Sequence, residues 1–520
     1  MSKIAIGLFL LLALTWDTPR AQLRRQPAVP WTYTALGDSL AVGVGGANSN
    51  GYVSLYAANC QTDTGNTITL NNLGMGGWTS SQLLAAVRAD QSFRNSIANS
   101  QVVTVNIGSN DLIAAMQQFV FATCGGPDNQ DCLRAAITLF KNNWDAIIAE
   151  ILSLRNTNNT LIRTMNIYNP VVNLLRQQGA LEVANFYIGQ ANDHIERTSE
   201  QNHIILANVF FAFNGANGET DPGSNGLLAG DNFHPNDNGY ALIAALFRAA
   251  RYAPLHGSQN SIDDARFFVG QQYRDFLVRQ PDTNGGNFWT EQITGNAGNT
   301  PPPCPMNDAL CLTQRRVSVS AAFFVENEFQ DSGSFVYRFY KASLGRNPTY
   351  LEFTPDRKLI IGSANFEQLR QNFATAWVQR EAFVTRYPLA QNAGQFVDAL
   401  LATVQQASGI NLTAQRATLI SKYNAQATQT ASRARVVRLV ADDAAFRQAE
   451  YNKAFVLMQY FGYLKREIDQ AGYDFWLNQV SNNQPGNYRG MVCAFITSLE
   501  YQLRFGSLTT RTNQDCTGIQ

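Results

Sequence analysis

From Trp31 to about Tyr252 the chain alternates short β-rich runs with longer helical stretches. The runs Trp31–Leu36, Thr67–Leu73, Gln101–Ile107, Thr160–Ile167 and His203–Phe210 are dense in Val, Ile, Thr and aromatic residues and predict strands. Between them Gln82–Asp90, Ala135–Asn156 and Ala180–Asn202 carry the 3.6-residue apolar period of helices, and a last helix is expected from near Asn236 to Arg251. Strands alternating with helices imply a parallel sheet covered on both faces. In such sheets ligands bind beyond the carboxyl ends of the strands.

After Arg251 the pattern changes. Residues 254–263 read as a linker, and from 264 to 520 helical periodicity dominates. Three segments there resemble one another: 267–289, 335–348 and 455–476. Phe268, Phe335 and Phe455 align, as do Tyr273, Tyr340 and Tyr460, then Arg279, Arg346 and Arg466. The apolar positions of each unit fall on one helical face. This predicts a repeated packing unit; an aromatic ligand groove is the alternative.

At 520 residues the chain is too long for one ordinary core. Hydrophobic residues make up 45%, so packed domains are expected, while charged residues are only 15% and the formal net charge is zero. No long basic run occurs, which argues against nucleic acid or an anionic membrane surface as partner.

The N-terminus places Lys3 before an apolar run from Ile4 to Leu14. That run is too short to span a bilayer and suits a signal peptide over residues 1–21. No later stretch is apolar enough for a span, so the expected location is secreted, periplasmic or cell-surface. In an oxidising compartment Cys124 and Cys132, and Cys304 and Cys311, would each close a small ring. Cys493 is then expected to pair with Cys516, leaving Cys60 single. The four scattered histidines and the absence of Cys-x-x-Cys make zinc a poor alternative, and no metal or organic cofactor is expected.

Four short motifs, each following a predicted strand, carry the candidate chemistry. "LGDSL" presents Ser39 as a nucleophile. "LGMGGW" offers a backbone N–H at Gly77, with Gly76 second, to an oxyanion. "IGSND" projects the side-chain amide of Asn110 at the same oxygen. "GDNFHP" spaces Asp231 and His234 so that the carboxylate reaches one imidazole nitrogen and leaves the other free as base. Asp38, Trp78 and Asp111 flank these groups and are candidates for the substrate pocket, Trp78 because its indole would narrow or line an acyl site. The apolar segment after Asn110, out to Cys132, is expected to form a loop that walls the pocket, pinned by a Cys124–Cys132 bridge.

These four blocks resemble those of the GDSL (SGNH) hydrolases over roughly residues 31–253. The resemblance implies a flavodoxin-like three-layer α/β/α domain, followed here by the mainly helical region, and ester hydrolysis through an acyl-enzyme. It assigns Ser39 as nucleophile, His234 as base and Asp231 as its partner. Ser39 N–H, Gly77 N–H and the Asn110 side chain become the oxyanion hole. The C-terminal half resembles a secreted bacterial domain of unknown function with phycobilisome-linker-like repeats, which implies no activity. The expected substrate is a small ester or lipid. A carbohydrate O-acetylesterase and a catalytically inert adhesion protein are the alternatives.

Overall fold

The computed structural model describes residues 30–519 apart from 216, 258, 297–300, 306–307, 326 and 362–365. The segment read as a signal peptide lies outside the described residues. Five strands form one parallel sheet: β1 Trp31–Gly37, β2 Ile68–Asn72, β3 Val102–Asn106, β4 Leu161–Met165 and β5 Ile205–Ala207. Their order is β2–β1–β3–β4–β5. The order reverses between β1 and β3, and the carboxyl ends of those two strands open the crevice where such sheets bind ligands.

Side chains alternate across the sheet as the pleat requires. Leu36, Val103, Val105 and Ile162 pack on the helices Ser80–Ala89, Asp131–Leu154 and Leu181–Gln201. Tyr33, Ala35, Val102, Leu161 and Met165 pack on Tyr52–Thr64 and Asp237–Ala249. This is the three-layer α/β/α architecture expected from the sequence.

Two local readings need correction. The fifth strand stops at Ala207, because the Asn208 side chain accepts from Phe211 N at 3.2 Å and starts the helix Val209–Asn214. The segment after Asn110 is not a loop but the helix Ser109–Val120, with Leu112 and Ala115 buried on one face. The Cys124–Cys132 bridge closes the turn that follows it, and Cys304–Cys311 and Cys493–Cys516 are also bonded. Cys60 is free and buried.

The C-terminal region is helical, and its repeats share one local structure. Helices Ala265–Gln272, Gly333–Phe339 and Ala444–Gln459 each run into a single π-turn: Tyr273–Leu277, Tyr340–Leu344 and Tyr460–Leu464. The chain then reverses through a left-handed residue, Val278, Gly345 or Lys465. This turn returns the following arginine over the ring of the tyrosine. Arg279, Arg346 and Arg466 sit 4.8, 5.4 and 5.3 Å from the centroids of Tyr273, Tyr340 and Tyr460. The three aligned phenylalanines and the three aligned tyrosines belong to one buried cluster, so these positions serve packing rather than an open groove.

The two regions are tied together. Asn260, inside the stretch read as a linker, is buried and donates to Gln502 O at 2.9 Å and Leu508 O at 2.6 Å. Arg504 bridges Glu200 at the end of helix Leu181–Gln201 and the fully buried Asp275, at 2.6 and 3.1 Å. No helix among the described residues is long and apolar enough to cross a membrane.

Candidate active site

β1 delivers the chain to the sheet edge, and Asp38 then caps the short helix Ser39–Val42, its Oδ1 accepting from Leu40 N at 3.0 Å. Ser39 is the first residue of that helix, so its own N–H has no intrahelical acceptor. The loop after helix Val209–Asn214 brings His234 to it from 195 residues away, with Nε2 2.9 Å from Ser39 Oγ. Asp231 folds that loop. Its Oδ1 accepts from the N–H groups of Phe233 and His234, both at 2.9 Å. Its Oδ2 lies 2.6 Å from His234 Nδ1.

Burial pushes the Asp231 carboxyl upward, but hydrogen bonds from the His234 side chain and from the two backbone N–H groups outweigh it and hold it below the usual range. Asp231 is therefore an ionised acceptor. An ionised carboxylate can only accept, so Nδ1 is the donor between the two, and Nε2 is left as an acceptor facing Ser39 Oγ.

β3 delivers the second wall. Gly108 adopts φ +119°, and a Cβ there would lie 2.4 Å from the Phe140 ring, so only glycine fits between β3 and the helix that follows. That helix carries Asn110, which donates one amide hydrogen to Trp78 O at 2.8 Å. The other hydrogen of the same amide is left for a ligand. Gly77 has φ +78° in a turn closed by Trp78 N donating to Met75 O at 3.2 Å. The turn is docked beside the serine helix through Asn72, whose amide donates to Ala41 O at 2.7 Å.

Ser39, Asn110 and His234 meet at a cavity of about 380 Å³. Gly77 does not line it. Ile113, Met116, Val120, Leu174, Leu175 and Ile188 contribute to its apolar wall. Asp38 and His234 are its only acidic or basic lining residues among those described.

Of the three pocket candidates, only Asp38 lines the cavity. Trp78 turns away and stacks on Phe93, with centroids 5.9 Å apart and planes 19° apart, so its indole does not narrow the site. Asp111 faces the helix Ser80–Ala89, accepting from Ser80 N at 2.8 Å and Ser80 Oγ at 2.5 Å. It anchors that helix. The sequence reading missed Asn106, which donates to Asp38 Oδ1 at 2.9 Å, and Tyr168, which donates to Phe233 O at 2.8 Å and lines the cavity. It expected the segment after Asn110 to wall the pocket, and Leu112, Ile113, Met116 and Val120 do line it, but it read that segment as a loop although the apolar spacing of Leu112, Ala115, Met116 and Phe119 is a helical signal.

Residues 35–242 match the model of the GDSL-like lipase/acylhydrolase family. This part of the chain is a GDSL-like hydrolase domain, and the protein is an ester-bond hydrolase. Its GDSL-like domain is 25% identical over 228 residues to the spore germination lipase LipC of Bacillus licheniformis, covering 43% of this chain and 98% of that protein. It is 28% identical over 212 residues to the uncharacterised protein YpmR of Bacillus subtilis, covering 40% and 77%. A solved lipase from a goat rumen metagenome, Lip_vut3, is 24% identical, with 44% of this chain and 100% of that one covered and a TM-score of 0.37. Residues 440–505 match a domain of unknown function, DUF4214.

Proposed function

We propose that the protein is an exported serine esterase that hydrolyses carboxylic esters of apolar acids through an acyl-enzyme. The observation that carries this reading is the unbroken chain Asp231–His234–Ser39, of which Ser39 and His234 line an apolar cavity. Ser39 Oγ attacks the ester carbonyl while His234 Nε2 takes its proton. Asp231 fixes the imidazole tautomer and stabilises the imidazolium. The oxyanion is met by Ser39 N–H and by the second amide hydrogen of Asn110, and Gly77, which does not line the cavity but sits on the turn docked beside the serine helix, is the third donor proposed. Collapse breaks the ester C–O bond, and the alcohol leaves with the proton held on His234. Water then enters, His234 removes its proton, and the acid is released as Ser39 regains its hydrogen.

The cavity favours an acyl chain over an acetyl group. At about 30 Å³ per water-sized group, its roughly 380 Å³ has room for about a dozen such groups. A carbohydrate O-acetylesterase would leave most of that apolar surface empty. Export is supported by the leader pattern of residues 1–21 and by three disulfides. The helical region from 264 onward is proposed as an accessory domain docked on the hydrolase.

Steady-state hydrolysis of p-nitrophenyl esters from acetate to dodecanoate, with Ser39→Ala and His234→Ala as controls, tests the reading. It expects both variants to fall by three orders of magnitude or more. It is contradicted by a Ser39→Ala protein that keeps its rate.

A further inference from the structure

The apolar wall of the cavity does not end at its mouth. Phe121, the residue that ends helix Ser109–Val120, is 75% exposed, and Leu174 on helix Val172–Gln177 is 51% exposed, yet both line the cavity. Single exposed apolar side chains need no explanation. These two differ because they continue an internal apolar surface into solvent. Their backbones are not loose: Met116, Phe119, Val120 and Val171 pack on Leu175, Ala180 and Ala184 beneath them. The turn after Phe121 is closed by the Cys124–Cys132 bridge.

The polar side chains at this mouth are amides. Gln117 and Gln178 line it and are exposed, and among the described residues no Lys, Arg or Glu does so. The neighbouring Arg176 is engaged by Asn173 Oδ1 at 2.6 Å and Glu219 O at 2.7 Å. Arg176 keeps its charge, and the nearby Asp221 carboxylate offsets it; the lining of the mouth itself is uncharged, and exposed hydrocarbon set in it complements hydrocarbon under uncharged or zwitterionic headgroups, not an anionic surface.

We propose that Phe121 and Leu174 dock the protein onto a neutral lipid–water interface, so that an acyl chain passes from the aggregate into the cavity without crossing water. The inference rests on the reading of the cavity as an acyl site. It adds that the substrate is drawn from an assembled phase rather than from solution.

The test uses the full chain carrying Ser39→Ala, so that vesicles survive, and measures co-sedimentation with zwitterionic phosphatidylcholine vesicles. The protein is expected to partition onto them with an affinity that stays within twofold between low and high salt. Adding Phe121→Ser and Leu174→Ser is expected to weaken it about a hundredfold, roughly tenfold for each side chain withdrawn from the interface. A Phe121→Trp variant gives an independent readout, since its emission shifts to the blue when vesicles are added.

No partition, partition that salt abolishes, or partition that the double serine variant leaves unchanged each overturns the proposal. So does a dimer that the serine variant dissociates in the absence of vesicle binding, which would give the patch to a second copy. If the serine variant fails to fold, an unshifted Phe121→Trp emission overturns it alone. Loss of the hydrolase reading is separately visible, as failure of a fluorophosphonate probe to label the unaltered protein at Ser39.

Discussion

Asn106 Nδ2 donates to Asp38 Oδ1 at 2.9 Å, and the oxygen of the same amide accepts from the Tyr52 hydroxyl at 2.6 Å. The amide is thus fixed from the core side, and Asp38 is held against the serine helix. The other carboxyl oxygen of Asp38 is buried with no hydrogen-bond partner. Burial pushes this carboxyl up to about 6.

A pH dependence follows with a definite sign. An unfolded aspartate titrates at about 3.9, so between about pH 4 and 6 the folded protein binds more protons at Asp38 than the unfolded chain does. Stability then falls as pH rises through that window, by on the order of 3 kcal/mol. Comparing unfolding midpoints of the unaltered protein and Asp38→Asn at pH 4.5 and pH 7 isolates the contribution. The unaltered protein should lose more over that interval, and parallel curves contradict the assignment.

Asn110 is expected to act on the transition state alone. Its amide is oriented by Trp78 O and lines the cavity beside Ser39. Asn110→Ala should lower kcat about a hundred- to a thousandfold with little change in KM. A change confined to KM would make Asn110 a ground-state contact.

Acyl length should be read by the cavity wall. Each buried methylene contributes about 0.8 kcal/mol, so kcat/KM should rise about three- to fourfold per methylene until the cavity is full. Met116→Trp narrows the wall and should reduce the rate on dodecanoate far more than on acetate. A profile that is highest at acetate and unaffected by Met116→Trp would instead favour a deacetylase.

The charged seam between the two regions should stabilise both. Arg504 is nearly inaccessible, and removing it leaves the buried Asp275 with Lys465 at 2.9 Å and Gln271 at 2.7 Å. Breaking a buried pair from one side costs about 3–5 kcal/mol where the remaining charge is uncompensated, and Lys465 and Gln271 hold the loss here below that range. Arg504→Ala should therefore lower the thermal unfolding midpoint, while Arg416→Ala, whose partner Asp398 lies on the surface at 2.5 Å, should hardly move it.

The sheet was legible because β1, β3 and β4 are buried on both faces, so apolar and β-branched residues run through them with Arg163 in β4 as the one charged interruption. The residues expected to react stood out because Gly37-Asp38-Ser39 and Gly108-Ser109-Asn110 break the runs of β1 and β3 at their carboxyl ends. The missed parts depend on asparagines used inside the protein. Asn192 holds Ile167 by both its N–H and its carbonyl, at 2.8 Å each, and Asn214 holds Asn169 in the same way at 2.8 and 2.7 Å. In sequence such residues look the same as exposed turn formers. Helix Ser109–Val120 was missed because its candidate chemistry at Asn110 drew a loop reading over a plain helical period. Trp78 was misplaced because adjacency to a glycine in sequence does not fix which way an indole turns.

The most direct measurement is intact-mass and peptide mass spectrometry of the protein treated with a fluorophosphonate. One equivalent of adduct on the peptide containing Ser39, lost when His234 is replaced by alanine, is the predicted result. A stoichiometric adduct on any other hydroxyl, with the Ser39 peptide unmodified, would contradict the account.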